Sequence, residues 1–271
     1  MKKLLLAGLA FSALIMPAMA ADMPLKALPP PPTWTGLYWG VNAGWIGSSQ
    51  YNITNTGTDT GNGGLGTFLG IGAIPGTVAV SHSGFFGGGQ IGYNWQTDPS
   101  WVWGVEADFQ DSTANGSAGA VFVGSQGGFR SITTVFKYEL DDLGTVRARL
   151  GWLSSPNVLW YGTAGVAYGE TKLTSTAQCP SFGPPCFTES TTSLATTHMS
   201  VGWTAGAGVE WKLTPVWSVK AEYLYVDLGS NQTNTITYTY PTNNQTNTSS
   251  LTSTVHEKDN IVRFGVNYKL F

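Results

Sequence analysis

Between Val201 and Val226, VGWTAGAGVEWKLTPVWSVKAEYLYV, every second residue belongs to one of two chemically different rows. Val201, Trp203, Ala205, Ala207, Val209 and Trp211 are apolar, whereas Gly202, Thr204, Gly206, Gly208, Glu210 and Lys212 are small or polar. After Leu213-Thr214-Pro215 the alternation resumes, with Trp217, Val219, Ala221, Tyr223 and Tyr225 on the apolar side. Successive strand side chains point to opposite faces, so the stretch reads as a β-hairpin with one apolar and one polar face. A tryptophan stands on each side of the turn, where a membrane-interface belt would place it.

The same unit recurs along the chain. The spacing predicts strands over Thr35–Ile46, Ser83–Gln96, Trp101–Phe109, Thr145–Trp152, Val158–Tyr168, Val201–Lys212, Trp217–Val226 and Val262–Leu270. Three connections are short: Thr97–Ser100, Ser154–Asn157 and Leu213–Pro215. Four are long and rich in Gly, Thr, Ser or Asn. Trp95 and Trp101 flank the first short turn, Trp152 and Trp160 the second, and Trp211 and Trp217 the third. Six of the eleven tryptophans therefore mark one boundary between water and lipid. Ala120–Gly124 and Ser131–Lys137 could add two further strands; they read here as a hairpin reaching into solvent.

Composition explains what the polar face is for. Only 11 % of residues are charged, against about a quarter in a soluble domain, so much of the surface is not built for water. No apolar run after the leader is long enough for a spanning helix. A closed β-barrel is the other way to satisfy every backbone group in lipid. The expected fold is all-β: an eight-stranded antiparallel up-and-down transmembrane barrel with short periplasmic turns and long extracellular loops.

The first twenty residues are expected to lie outside that fold. Lys2 and Lys3 precede an apolar run, Leu4–Met16, and Ala18-Met19-Ala20 is a cleavage signal. Cleavage between Ala20 and Ala21 takes the net charge from −3 to −5. That balance argues against a nucleic-acid partner. Residues 21–33, with Pro29 to Pro32 consecutive, read as an extended periplasmic lead. The barrel domain is then 34–271.

The polar rows carry seven charges expected inside the barrel. Arg149 and Lys220 lie three residues inward from a turn-flanking tryptophan. Glu106, Arg147 and Glu222 lie five inward and Asp108 seven, with Arg263 near the same levels. An eight-stranded barrel is filled by side chains, so opposite charges at similar depth predict an interior salt-bridge network that plugs the lumen. A narrow gated pore through the same network and a charged catalytic dyad are the alternatives. Cys179 and Cys186, in CPSFGPPC, are expected to close a loop as a disulfide in an exported chain. Gly87-x-Gly89-x-x-Gly92 matches a dinucleotide fingerprint but lies within a strand, without the helix N-terminus that would hold a pyrophosphate. No G-x-S-x-G, H-E-x-x-H or P-loop occurs, and no histidine lies inside a predicted strand. The expectation is a non-enzyme.

Particular segments resemble a known family. The signal peptide, the proline-rich start and WTGLYWGVNAG (Trp34–Gly44) are similar to the alphaproteobacterial outer-membrane immunogenic, or porin-like, β-barrel family. So are GTVRARLGW (Gly144–Trp152), YGTAGVAYG (Tyr161–Gly169), WSVKAEYLYVDLG (Trp217–Gly229) and the closing FGVNYKLF (Phe264–Phe271). The resemblance covers the strands and fails in the loops. It implies an OmpA-like eight-stranded barrel in the outer membrane of a Gram-negative bacterium, linked to envelope integrity or to surface contact with a host. Lipid, lipopolysaccharide and the outer-membrane assembly machinery are the implied partners. A terminal aromatic helps that machinery recognise such chains; Phe271 fits, although Leu270 rather than Lys269 follows the outward row.

His82, His198 and His256 all fall where a long loop enters a strand, so they are expected at the extracellular rim. Solvated loop residues are the plain reading; a metal or haem contact, or a pH-sensitive rim, is the sharper one. Some relatives in the resembling family bind haem, but no motif here assigns that cofactor. The functional expectation is a structural envelope barrel with surface-exposed loops. A small porin for small solutes, or a loop-based adhesin or haem receptor, are the alternatives.

Overall fold

A computed structural model describes residues 33–48, 51–60, 76–122, 132–179, 190–229, 232–242 and 245–270. The described strands are β1 (Gly36–Gly47), β2 (Tyr51–Thr60), β3 (Thr77–Val80), β4 (Ser83–Gln96), β5 (Trp101–Phe122) and β6 (Ile132–Ser155). They continue with β7 (Val158–Cys179), β8 (Ser190–Lys212), β9 (Trp217–Asp227), β10 (Gln232–Thr242), β11 (Gln245–Val255) and β12 (Lys258–Lys269). Eight of them close into a barrel in the order β1-β12-β9-β8-β7-β6-β5-β4. The ring closes where β1 pairs with both β4 and β12, with Trp39 opposite Ile91 on one side and Tyr268 on the other. The signal sequence, with Ala20 and Ala21, the proline-rich lead up to Pro32, Cys186 and Phe271 lie outside the described residues. So does the side chain of Cys179.

The alternation of the sequence becomes an inside and an outside. Val146, Leu150, Val166, Val262 and Phe264 stand exposed on the outer wall, while their strand neighbours Arg147, Arg149, Ala167, Ile261 and Arg263 are buried. The short turns are held by their own polar residues. Asp98 Oδ1 accepts from the amides of Ser100 (2.7 Å) and Trp101 (2.9 Å), and Thr214 Oγ1 accepts from Trp217 N (3.0 Å). These side-chain bonds replace backbone partners that a tight turn leaves unmade.

The first, third and fourth long connections depart from expectation. The described parts of the second and third continue the barrel wall: β5 to β8 each run for 22–24 residues, roughly twice the 9–11 that a tilted strand needs to cross a membrane. Ala120, Val121 and Phe122 pair with Thr134, Thr133 and Ile132, which makes this stretch the expected hairpin, continuous with β5 and β6 rather than two extra strands. The first and fourth connections form a separate four-stranded sheet, β10-β11-β2-β3, whose edge strands lie beside β8 and β5. Its strands carry Thr and Asn where a membrane strand carries Val and Trp, so the outward apolar row that identified the barrel strands is missing.

That sheet has two unlike faces. Ile53, Val78, Val80, Leu251 and Val255 are buried; most of them join Ile46, Phe86, Phe136, Leu140, Leu143, Leu173, Leu224, Val226 and Ile261 in one apolar core at the long-loop end. The opposite face is a grid of hydroxyls. Thr233, Thr254, Thr54 and Thr77 form one cross-strand row, Thr235, Thr252 and Thr56 the next, and Thr237, Ser250 and Thr58 the third.

Candidate functional site: the charged lumen

The barrel needs space inside as well as charge, and its glycines provide it. A Cβ on Gly165 would stand 2.7 Å from Arg147 Cα, and one on Gly44 the same distance from Arg263 Cα. Those glycines sit beside the two arginines whose side chains fill the centre. Both arginines are fully buried.

Arg147 Nη2 donates to Glu106 Oε1 at 2.6 Å and to Asp108 Oδ2 at 2.7 Å, its Nη1 to Glu222 Oε1 at 3.0 Å, and its Nε to Thr145 Oγ1 at 2.8 Å. Arg263 approaches the same three carboxylates from β12: Nε to Glu222 Oε2 at 2.6 Å, Nη2 to Asp108 Oδ2 at 2.9 Å and Nη2 to Glu106 Oε1 at 3.4 Å. Lys220 Nζ donates to both oxygens of Glu106 at 2.7 and 2.8 Å. One level nearer the short turns, Arg149 donates to Glu210 Oε2 at 2.7 Å and to the Tyr38 hydroxyl at 2.9 Å. The Tyr38 hydroxyl donates in turn to Glu106 Oε2 at 2.8 Å, which ties the two levels together.

All seven charged residues expected inside the barrel meet in this cluster. Two members were missed as partners. Glu210 lies in the polar row of the Val201–Val226 hairpin, whose expected lumen charges are Lys220 and Glu222 alone. Here it accepts from Ser218 Oγ at 2.5 Å and Asn267 Nδ2 at 2.9 Å as well as from Arg149. Tyr38 stands among residues of the first strand that carry no charge signal. With Glu210 included, four acids (Glu106, Asp108, Glu210, Glu222) face four bases (Arg147, Arg149, Lys220, Arg263). The balance matters because an unpaired charge taken out of water is costly, whereas a paired and hydrogen-bonded one is tolerated.

Buried apolar residues flank the charges on both sides along the strands. At the short-turn end Trp34, Val102, Leu153, Leu159 and Tyr161 form a small apolar cluster. Trp34 Nε1 donates to Pro156 O at 3.2 Å, and Lys212 Nζ lies 4.2 Å from its ring centre. Towards the long loops lies the apolar core that the barrel shares with the four-stranded sheet. The charged groups thus lie between two apolar clusters.

The outer wall shows where lipid would meet water. Trp101, Trp152 and Trp160 are opposite one another across β5, β6 and β7, and they, Trp211 and Trp217 are exposed. Trp95 is half-buried and stacks on Trp103 at 4.7 Å. A second aromatic row lies towards the long-loop end, with Trp45 against Phe85 (4.8 Å) and Trp203 against Tyr225 (5.4 Å). The apolar wall lies between the two rows.

The histidines do not share one environment. His82 is buried rather than solvated: its Nε2 lies 3.1 Å from Asp259 Oδ1, its Nδ1 3.2 Å from Ser48 Oγ, and its ring 5.0 Å from that of Tyr138. Both ring nitrogens are engaged, so neither is directed at an open rim. His256 is exposed and reaches Asp227 Oδ1 at 3.1 Å; His198 is exposed. Among the described residues no group of three His, Cys, Asp or Glu is placed to hold a metal ion.

The chain is similar to several known proteins. Residues 6–269 match the family model described as outer membrane protein beta-barrel domain. The chain is 35 % identical over 237 residues to the 31 kDa outer-membrane immunogenic protein of Brucella melitensis, covering 84 % of this chain and 88 % of that relative. It is 30 % identical to the 22 kDa outer membrane protein of Rhizobium leguminosarum, covering 78 % and 71 %. Among solved structures, the outer membrane protein OprG of Pseudomonas aeruginosa aligns over 87 % of this chain and 97 % of its own, at 13 % identity and a TM-score of 0.40.

Proposed function

The chain belongs to the outer-membrane β-barrel family, and from that premise we propose that it acts as a sealed envelope barrel presenting a β-structured extracellular surface. One observation carries the reading. Arg147 and Arg263, with no solvent exposure of either side chain, bind Glu106, Asp108 and Glu222 across the lumen. A solute path would have to break these bonds and leave charges unpaired between two apolar layers. Nothing in the cluster resembles a poised acid–base or nucleophile pair, because every carboxylate in it is matched to a cation. We therefore read the role as structural.

Outside the membrane, the hydroxyl grid of Thr54, Thr56, Thr252, Thr254 and their neighbours offers an uncharged surface of hydrogen-bond donors and acceptors. It suits contact with a hydrated envelope or host surface better than with an anionic polymer. We infer further that residues 1–20 direct export with cleavage between Ala20 and Ala21, that 21–33 is a periplasmic lead, that Trp95, Trp101, Trp152, Trp160, Trp211 and Trp217 form the periplasmic girdle, and that Cys179 and Cys186 form a disulfide. Lipid, lipopolysaccharide and the assembly machinery are the partners this placement requires.

Planar-bilayer recording tests the seal. Purified protein at high load should give no steady openings at neutral pH. Regular unitary steps that vanish in Glu106→Ala would replace the sealed barrel with the small porin.

A further inference from the structure

Four chain crossings join the extracellular sheet to the barrel, and polar contacts lace them in pairs. The β1–β2 crossing meets the β3–β4 crossing where Ser48 N donates to His82 O (3.1 Å) and Ser48 Oγ lies 3.2 Å from His82 Nδ1. The β9–β10 crossing meets the β11–β12 crossing where Leu228 N donates to Glu257 O (3.2 Å) and His256 Nε2 lies 3.1 Å from Asp227 Oδ1. His82 Nε2 and Asp259 Oδ1, 3.1 Å apart, couple the first pair to the second. At the centre is Glu257, fully buried in the crossing between β11 and β12. It lies beyond the lipid-facing apolar row of β12, which begins at Val262.

The groups around Glu257 are poorly suited to a carboxylate anion. Asp259 of β12 faces it with like charge. Tyr138 of β6 and Thr171 of β7 contribute hydroxyls that favour the ionised form. His82 is committed to Asp259, while His256 and Lys258 lie on the exposed side with Asp227. No cation is paired with Glu257 among the described residues. Burial first, and Asp259 second, push its carboxyl up to about 8.

We propose that Glu257 is a proton-held latch for the extracellular sheet: the sheet docks on the barrel with Glu257 protonated and loosens as that proton is lost. The sign follows from linkage. The docked state binds the proton more tightly than the released state, in which the carboxyl returns to its ordinary range. Docking is therefore strongest below that range, weakens as pH rises through it, and levels off above about 8. The latch goes beyond the sealed-lumen reading, since the charge cluster can stay closed while the sheet opens.

Hydrogen exchange of the full chain in lipid vesicles tests it, comparing wild type with Glu257→Gln at each pH so that intrinsic exchange cancels. For amides of β2 and β11, the wild-type to variant rate ratio should climb by up to about tenfold per pH unit between pH 5 and 8 and then plateau. Amides of β12 from Val262 to Val266 should keep a constant ratio. A flat ratio for β2 and β11 across pH 5–9 overturns the latch. Should the variant fail to fold, the 13C carboxyl resonance of labelled glutamate in the wild type decides: a midpoint near 8 for Glu257 supports the proposal, and one in the ordinary carboxylate range sinks it.

Discussion

Arg147→Ala should lower the unfolding free energy by about 3–5 kcal/mol, the range for breaking a buried pair by removing one partner. The guanidinium binds Glu106, Asp108 and Glu222 at once. Its loss turns a cluster of four acids and four bases into one with an excess negative charge. Arg263 and Lys220 still reach these carboxylates, which limits the damage, but neither can occupy the position on β6 between Thr145 and Arg149. Arg147→Met fills volume without charge and should be nearly as harmful, because the missing term is electrostatic rather than a cavity. Reversible urea unfolding in lipid vesicles, followed by tryptophan fluorescence, provides the measurement. A change below about 1 kcal/mol would show that the centre of the lumen is not held by this network.

Placing a charge on the outer wall should cost about 2–4 kcal/mol near mid-membrane and almost nothing beyond the aromatic rows. Ala164 on β7 is exposed, four positions from Trp160 at one aromatic row and from Tyr168 towards the other. Ala164→Arg should fall in that range. Thr174→Arg, on the same strand but past the extracellular row, should stay within about 0.5 kcal/mol of wild type. The same unfolding assay compares them. Equal costs at the two positions would mean that the apolar belt does not mark the lipid, whereas the predicted difference locates the membrane on the strand.

The legibility of the fold varied with the distance over which each signal acts. Alternation is local, so VGWTAGAGVEW and its seven counterparts identified the barrel strands and their outer faces, and the paired tryptophans identified the turns. The same logic failed for β2, β10 and β11. The buried residues of β2 and β11, such as Ile53, Leu251 and Val255, are spaced among Thr, Ser and Asn rather than among residues of an opposite, lipid-facing kind. His82 and Glu257 were unreadable for another reason. Each is short-range polar sequence next to a loop, and each is buried only because crossings far apart in the chain, from Ser48 to Asp259, come together.

Glu210 shows an intermediate case. Its place in the polar row was plain, but its part in the cluster depends on Arg149 from β6 and Asn267 from β12. Counting residues inward from the tryptophans placed Lys220 two positions below Glu106, yet the two are joined by hydrogen bonds of 2.7 and 2.8 Å. Strand tilt and shear account for that offset, and both belong to the closed ring rather than to any strand. The sequence by itself determined which side chains face lipid and which face the lumen, because a period of two is written into consecutive residues. Only the tertiary structure decided which charges meet and what covers them, because depth inside a barrel is set when β1 closes on β12.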